Sequence, residues 1–83
     1  MKKYLLPYEQ HSKKFPNDYI RKELIGTQYY GVWMIGGVWW TISTNDAKFS
    51  SREAAQTALD KILIEEGWTL LSSEEAEKLK LLL

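Results

Sequence analysis

The sequence predicts one small α+β domain, in which an antiparallel sheet of two or three strands packs on a helix. Two runs of β-branched and aromatic residues surround Gly36-Gly37, and an alanine-rich segment at about 51–66 has the spacing of an amphipathic helix. The chain is 83 residues long, which is enough for one core. We therefore expect a single domain over 1–83, made of an N-terminal segment (1–28), a hairpin and helix core (29–71) and a C-terminal helix (72–83).

Composition favours a folded protein in a reducing compartment. Hydrophobic residues make up 45% of the chain, which is enough apolar surface to offset the entropy of ordering. The sequence contains no cysteine, so it has neither disulfides nor a thiolate metal site. The apolar run after the N-terminal lysines stops at Pro7, and no run approaches the ~18 residues of a membrane span. We therefore expect a cytoplasmic protein without membrane contact.

Charge is balanced in total but unevenly distributed. The formal net charge is zero, yet residues 1–23 carry six basic and three acidic side chains, and residues 52–83 carry four basic and seven acidic ones. Without a net basic excess, the counterion release that drives non-specific nucleic-acid binding is small. The asymmetry indicates two solvated faces, an electrostatic guide for a partner, or a nucleic-acid mimic that uses Glu65, Glu66, Glu74 and Glu75.

The hairpin over residues 29–44 is the clearest element. Two glycines suit the positive φ angles of a tight two-residue turn, so Ile35 should pair with Val38 and Trp33 with Trp40. Side chains then alternate between two faces. The uniformly apolar face is expected to form the core and consists of Gly31, Trp33, Ile35, Val38, Trp40 and Ile42. The mixed face is expected to be exposed and consists of Tyr30, Val32, Met34, Trp39, Thr41 and Ser43.

Turn and cap residues predict a short helix in the N-terminal segment. The stretch Phe15-Pro16-Asn17-Asp18 combines a turn with side chains that accept hydrogen bonds from the first amides of a helix. Ile20 and Leu24 lie four residues apart, as on one helical face, and Gly26 can end a helix with positive φ. The predicted helix covers about Asp18–Ile25.

Two capping boxes predict the later helices, because in each the hydroxyl and the carboxylate both accept from a backbone amide. Ser50 with Glu53 begins the helix at about 51–66, which Gly67 ends. Ser72 with Glu75 begins the C-terminal helix.

Short segments connect these elements. Asn45-Asp46-Ala47 is typical of a turn, Lys48-Phe49 indicates a brief third strand, and Trp68–Leu71 is apolar enough to return along the sheet edge. The leucine-rich C-terminal helix is marginal alone, which makes it a candidate contact for a partner or for a homodimer.

No set of residues with catalytic spacing is present. His11 is the single histidine and lies in a polar stretch, which indicates a surface position rather than a general base. The pairs Glu65-Glu66 and Glu74-Glu75 are typical of solvated helix ends rather than of a cation site. The sequence has no metal-binding spacing, phosphate loop or activated nucleophile. We therefore expect a protein that is not an enzyme and that needs no cofactor or metal.

Residues 29–63 resemble the DNA-binding domains of the AP2 and integrase amino-terminal type. The similarity rests on Tyr29-Tyr30-Gly31-Val32, on Trp40-Thr41-Ile42 and on the helix start at Phe49–Ala58. It implies a small antiparallel sheet packed on one helix, with nucleic acid held on the exposed sheet face. Those domains place arginines and lysines on that face, whereas the hairpin here contains no basic residue. The resemblance therefore implies the scaffold without its DNA contacts.

These observations predict a small protein-binding module, such as a phage or mobile-element accessory protein that inhibits or recruits a host factor. Its contact surface is expected on the mixed face, and the predicted partner-binding residues are Tyr30, Met34, Trp39, Thr41, Lys48 and Arg52. One alternative is that the N-terminal segment covers this face and buries it. Another is a nucleic-acid-binding domain that uses the same face.

Overall fold

The computed structural model describes residues 2–41 and 48–83. Within these ranges the elements, in chain order, are strands β1 (Lys3–Leu5), β2 (Glu9–Gln10), β3 (Tyr19–Lys22), β4 (Tyr29–Ile35) and β5 (Val38–Thr41), helix α1 (Arg52–Glu65), strand β6 (Trp68–Leu70) and helix α2 (Ser73–Leu82). The predicted α+β class is confirmed. The predictions for Ile42, Ser43 and the turn at 45–47 lie outside the described residues.

The main sheet has four antiparallel strands in the order β2-β3-β4-β5, and not the two or three that were predicted. Gly36 and Gly37 form the β4–β5 turn with φ angles of 61° and 79°, which glycine adopts without the steric cost of a Cβ. The hairpin register is confirmed, with the pairs Ile35–Val38, Met34–Trp39, Trp33–Trp40 and Val32–Thr41.

The predicted helix over Asp18–Ile25 is wrong, because this segment forms β3 and pairs along β4. Tyr19 and Ile20 are residues that suit a pleated surface, and pairing with the longest strand of the sheet overrides the local capping signal. The turn before it is confirmed, since the Asp18 amide donates to the Phe15 carbonyl at 3.1 Å. The third strand of the sheet therefore comes from the N-terminal segment, while Phe49 makes only an isolated bridge to Trp39.

The two hairpin faces are the reverse of the prediction. Val32 and Trp39, predicted to be exposed, are 1% and 9% exposed, whereas Ile35, predicted to lie in the core, is 60% exposed. Thr41 belongs to the face that is predicted to be exposed. It is buried with its hydroxyl donating to the Gly31 carbonyl at 2.8 Å, so its burial leaves no unsatisfied group there.

Helix α1 covers the face that carries Val32 and Trp39, which we call the covered face. Ala55, Leu59 and Leu63 form its buried stripe, as the predicted alanine and leucine pattern implies. The core cluster consists of Leu5, Val32, Trp39, Ala55, Leu59, Leu63 and Trp68. The helix begins one residue later than the predicted capping box. Ser51 is the N-cap and its Oγ accepts from the Ala54 amide at 3.1 Å, so the box of Ser50 with Glu53 is wrong.

The chain leaves α1 through Gly67, whose φ of 96° confirms the predicted stop. Residues 68–70 are predicted to run along the edge of the main sheet. They instead form β6, which pairs in parallel with β1. Parallel pairing is available because α1 supplies the crossover connection that parallel strands require. β1 in turn bridges to Glu23, just after β3, and so joins the two sheets.

Helix α2 begins with the predicted capping box, since Ser72 Oγ accepts from the Glu75 amide and the Glu75 carboxylate accepts from the Ser72 amide. The hydrogen bond from the Ser72 amide, together with the nearby Ser72 hydroxyl, holds the pKa of the Glu75 carboxyl below its usual range. Ala76 is buried, whereas Leu81, Leu82 and Leu83 are exposed, and the homodimer through this helix stays a prediction. Neither helix in the described ranges is long and apolar enough to cross a membrane.

A polar cluster joins the N-terminal segment, β3 and α1. Arg21 Nε and one terminal nitrogen donate to the two carboxylate oxygens of Asp60 at 3.0 and 3.2 Å. Arg21 also donates to the Leu6 carbonyl at 3.0 Å, and the Tyr8 hydroxyl donates to Asp60 at 2.9 Å. Burial, together with the hydrogen bond to Asp60, raises the pKa of the Tyr8 phenol well above its ordinary value.

Trp39→Ala tests the covered face. Truncating a buried tryptophan costs about 3–5 kcal/mol, which is most of the stability that a domain of this size has. We therefore expect Trp39→Ala to be largely unfolded by circular dichroism, and Trp39→Phe to have a reduced urea midpoint. Trp40→Ala, one residue along on the opposite face, should cost less than about 2 kcal/mol. Equal losses at the two positions would contradict the assignment of faces.

Tyr8→Phe tests the polar cluster through its pH dependence. Because the folded-state pKa of Tyr8 is raised, the folded protein favours the protonated phenol, and this stabilisation is lost as pH rises above the ordinary value of 10.0. Urea unfolding at about pH 8 and about pH 11 should therefore show a larger alkaline loss in the parent protein than in Tyr8→Phe. The variant should also be less stable at neutral pH, by about 1 kcal/mol for the lost hydrogen bond. An identical alkaline loss in both proteins would contradict the role given to Tyr8.

Candidate functional site

The side of the main sheet opposite α1 carries the candidate site, and we call it the open face. Strand register and side-chain alternation place on it Ile20, Lys22, Tyr29, Gly31, Trp33, Ile35, Val38 and Trp40. Tyr29 and Ile35 are each 60% exposed, and the two tryptophans are half-buried. Helix α1 packs against the other side of the sheet, and Ile20 is the one member of this group that is buried, at 5% exposed. A row of aromatic and aliphatic side chains therefore faces solvent.

The open face contains a slot of about 280 Å³ above Gly31. Tyr29 and Trp33 lie two residues before and after this glycine, so their side chains form the two ends of the slot. Ile20, which pairs with Gly31, forms the floor. His11 lies at the rim and stacks on Tyr29, with 6.3 Å between ring centroids and 24° between ring planes. Position 31 has no side chain, and Ile20 packs closely against it, since a Cβ there would lie 2.7 Å from Ile20 Cγ2.

Hydrogen-bonding groups at the slot are only partly used. Within the described part of the chain, the Tyr29 hydroxyl and the Trp33 indole N–H form no hydrogen bond to protein atoms. The Trp40 indole N–H, by contrast, donates to the Ile35 carbonyl at 3.3 Å. Two donors beside an apolar slot are suited to a ligand that offers acceptors.

Charged side chains surround the open face and include both signs. Lys48 Nζ lies 5.4 Å from the centre of the Trp40 ring, and at the other end Lys14 Nζ lies 5.6 Å from the Phe15 ring. Asp18 lines the slot itself, and Glu9 pairs with Lys22 at 3.4 Å. The charge near the aromatic residues is therefore mixed, and Lys48 supplies a cation at the Trp40 end.

The predicted partner-binding residues lie elsewhere. Tyr30, Met34, Trp39 and Thr41 belong to the covered face, where Tyr30 packs edge-on against Trp68 with 5.6 Å between ring centroids. Trp39 and Thr41 are buried and only Met34, near the turn, is exposed, so the expectation that this face is free is wrong. Helix α1, and not the N-terminal segment alone, covers it, which also corrects the predicted alternative.

Lys48 and Arg52, the two basic residues of that prediction, are separated by the structure. Lys48 is exposed and joins the open face through Trp40. Arg52 is half-buried, with its guanidinium carbon 4.0 Å from the centre of the Tyr19 ring on the covered face. Of the residues predicted to bind a partner, Lys48 is therefore the one that the structure places beside the new candidate surface.

The slot is not predicted from the sequence, although the register of the β4–β5 hairpin is predicted correctly. Glycine inside a strand weakens the strand and often marks a close approach by a ligand or another backbone. Gly31 between Tyr29 and Trp33 therefore indicates a close approach by another group. In the structure, Ile20 makes this approach.

Among the described residues, the predicted histidine and glutamate candidates lie on the surface. His11 is exposed, as predicted, and so are both members of the pairs Glu65-Glu66 and Glu74-Glu75. No three histidine, aspartate or glutamate side chains come together at a place where they could hold a metal ion, among the residues that the structure describes.

Comparisons of this chain with protein-family models, with curated proteins and with solved structures found no match.

Gly31→Ala tests the packing that creates the slot. A Cβ at position 31 would lie 2.7 Å from Ile20 Cγ2 and 2.9 Å from the Tyr19 carbonyl oxygen, so the two strands would have to separate. We expect Gly31→Ala to lower the free energy of unfolding by about 1–3 kcal/mol, as overpacking usually does. Lys22→Ala, at an exposed position on the same face, should change it by less than about 0.5 kcal/mol. Urea denaturation measures both, and a neutral Gly31→Ala would contradict the close contact with Ile20.

Proposed function

We propose that this protein is a non-enzymatic protein-binding module whose open face holds the partner. The observation that carries the proposal is the group of Tyr29, Trp33, Trp40 and Ile35 on one solvent-facing sheet surface. Aromatic residues of this kind concentrate binding energy when a partner removes them from water. A role as an accessory protein that inhibits or recruits a host factor, such as one from a phage, remains part of this proposal, as does a cytoplasmic location.

The fold supports this use of the open face. Trp39 and Val32 supply the buried surface that holds the domain together, so their neighbours Trp40 and Trp33 are available for contacts. The turn at Gly36 and Gly37 presents Ile35 and Val38 at the end of the sheet, which extends the apolar surface beyond the slot. A protein partner would bury this row as the centre of an interface with a polar rim.

Nucleic-acid binding is the second candidate function. It is favoured by cations beside exposed rings, with Lys48 near Trp40 and Lys14 near Phe15, because unpaired bases stack on aromatic side chains within a positive groove. The resemblance of residues 29–63 to the AP2 and integrase amino-terminal type also implies nucleic acid on a sheet face. The Asp18 carboxylate, which lines the slot, disfavours phosphate there.

Affinity capture tests the proposal. The tagged protein, a Trp33→Ala/Trp40→Ala double variant and an Ile64→Ala control are compared in nuclease-treated extract of the source cell. Ile64 is an apolar residue that is also 60% exposed, but it lies on α1. We expect a partner that the parent protein and Ile64→Ala retain at similar levels, and that the double variant loses by about tenfold or more.

The variants must first show the parent far-ultraviolet circular dichroism spectrum. Retention of the same proteins by all three would remove the open face as the contact surface. A protein captured from untreated extract but not from nuclease-treated extract would instead favour nucleic-acid binding.

A further inference from the structure

We propose that the slot above Gly31 binds an extended, proline-containing segment of the protein partner, with an acidic residue of that segment beside Lys48. This inference rests on the proposed function and names the chemistry of the partner. It follows from four features of the open face, which are its backbone pairing, its free donors, its shape and its charge.

Backbone pairing excludes one common mode of peptide binding at the slot. Strand β4 is internal, with β3 on one side and β5 on the other, so a partner cannot add to it as a further strand. Side chains on the face must make the contacts. A polyproline II segment suits such a surface, because its backbone forms no internal hydrogen bonds and stays solvated when one side docks.

The free donors match the backbone of such a segment. Proline has a carbonyl acceptor but no N–H, and an indole N–H is a donor only. The Trp33 indole N–H and the Tyr29 hydroxyl are both without a protein partner in the described part of the chain. They can therefore donate to carbonyls of the segment, while the segment presents few amide groups that need acceptors on an apolar face.

The shape of the slot suits a ring. Tyr29 and Trp33 are four residues apart in β4, which places their Cα atoms about 13 Å apart, and about four residues of polyproline II cover that length at 3.1 Å per residue. A pyrrolidine ring can enter the slot between Tyr29 and Trp33, above Ile20. Aromatic-lined grooves bind such preformed segments at a low entropic cost.

Charge limits where an acidic residue of the segment can lie and disfavours nucleic acid. Lys48 lies beside Trp40, on the β5 side of Trp33, whereas Asp18 lines the slot and precedes Tyr19 on the β3 side. An acidic residue is therefore favourable on the Trp40 side and unfavourable near Asp18. A nucleic acid carries a phosphate at every nucleotide and would bring some of them close to the Asp18 carboxylate.

The test measures fluorescence anisotropy of a labelled peptide with two Pro-x-x-Pro repeats and glutamates at one end. The comparison peptide keeps the glutamates and replaces each proline by glycine or serine. We expect the proline peptide to bind about tenfold or more tightly than the comparison peptide. Trp33→Ala and Tyr29→Ala should each weaken binding about tenfold or more, and Trp33→Phe, which keeps a ring but lacks the N–H, should weaken it by a smaller factor.

Matched controls separate the contributions. Lys48→Glu should weaken binding of the acidic proline peptide about threefold to tenfold and leave a glutamine version of the same peptide unchanged. Ile64→Ala should bind like the parent protein. Each variant is checked by circular dichroism, and Trp33→Phe keeps the test informative if Trp33→Ala loses its fold.

Three outcomes would overturn the inference. Equal affinity for the proline and glycine-serine peptides would remove the ring-binding slot, and no measurable binding of either peptide would do the same. Tighter, steeply salt-dependent binding of labelled oligothymidine would assign the face to nucleic acid. If affinity capture still yields a partner that depends on Trp33 and Trp40, the proposed function survives and only the proline-containing ligand is rejected.

Discussion

Helix α1 lies against only one side of the main sheet, and that placement decides which aromatic residues stabilise the fold and which are left for a partner. Its narrow stripe of Ala55, Leu59 and Leu63 packs with Val32 and Trp39. A chain of this length buries a limited share of its surface, and a second covering layer on the sheet would need more residues than the described segments provide. Under the proposed function, stability and recognition use opposite sides of the same two strands, and Trp39 and Trp40 differ in role although they are adjacent.

The Arg21–Asp60 pair makes this placement specific. Arg21 points to the covered face of β3, and Asp60 reaches it from α1 at 3.0 Å, with Tyr8 completing the carboxylate's hydrogen bonds. Partly buried ion pairs contribute little net stability, but separating the partners leaves a charge without compensation. A packing of α1 on the opposite face would separate this pair and place Asp60 against an apolar row. Both faces of the sheet carry apolar residues, so hydrophobicity alone does not decide which face α1 covers. The cluster of Arg21, Asp60 and Tyr8 makes that choice.

The parts of the structure that local chemistry dictates could be predicted from the sequence, and those that depend on a distant partner could not. Glycines with positive φ defined the β4–β5 turn and the end of α1, and Ser72 with Glu75 defined the start of α2. β3 was missed because its strand character depends on pairing with β4. The faces were reversed because the uniformly apolar side was assumed to be buried. The mixed face can be buried because Thr41 satisfies its hydroxyl by donating to the Gly31 carbonyl. The apolar face stays open and carries the slot beside Gly31.

An exposed aromatic surface on a small sheet carries a risk of aggregation, which sheet edges usually initiate. Both edges of the main sheet are protected. At one edge, Trp39 in β5 exchanges two backbone hydrogen bonds of 2.9 Å with Phe49. The middle of this edge strand is therefore already paired. At the other, β2 is only two residues long and carries Glu9, paired with Lys22, and short charged edges resist the addition of a further strand. With edge pairing blocked at these points, the sheet is accessible mainly through side chains on the open face. That restriction favours a partner that recognises rings and donors over one that extends the sheet.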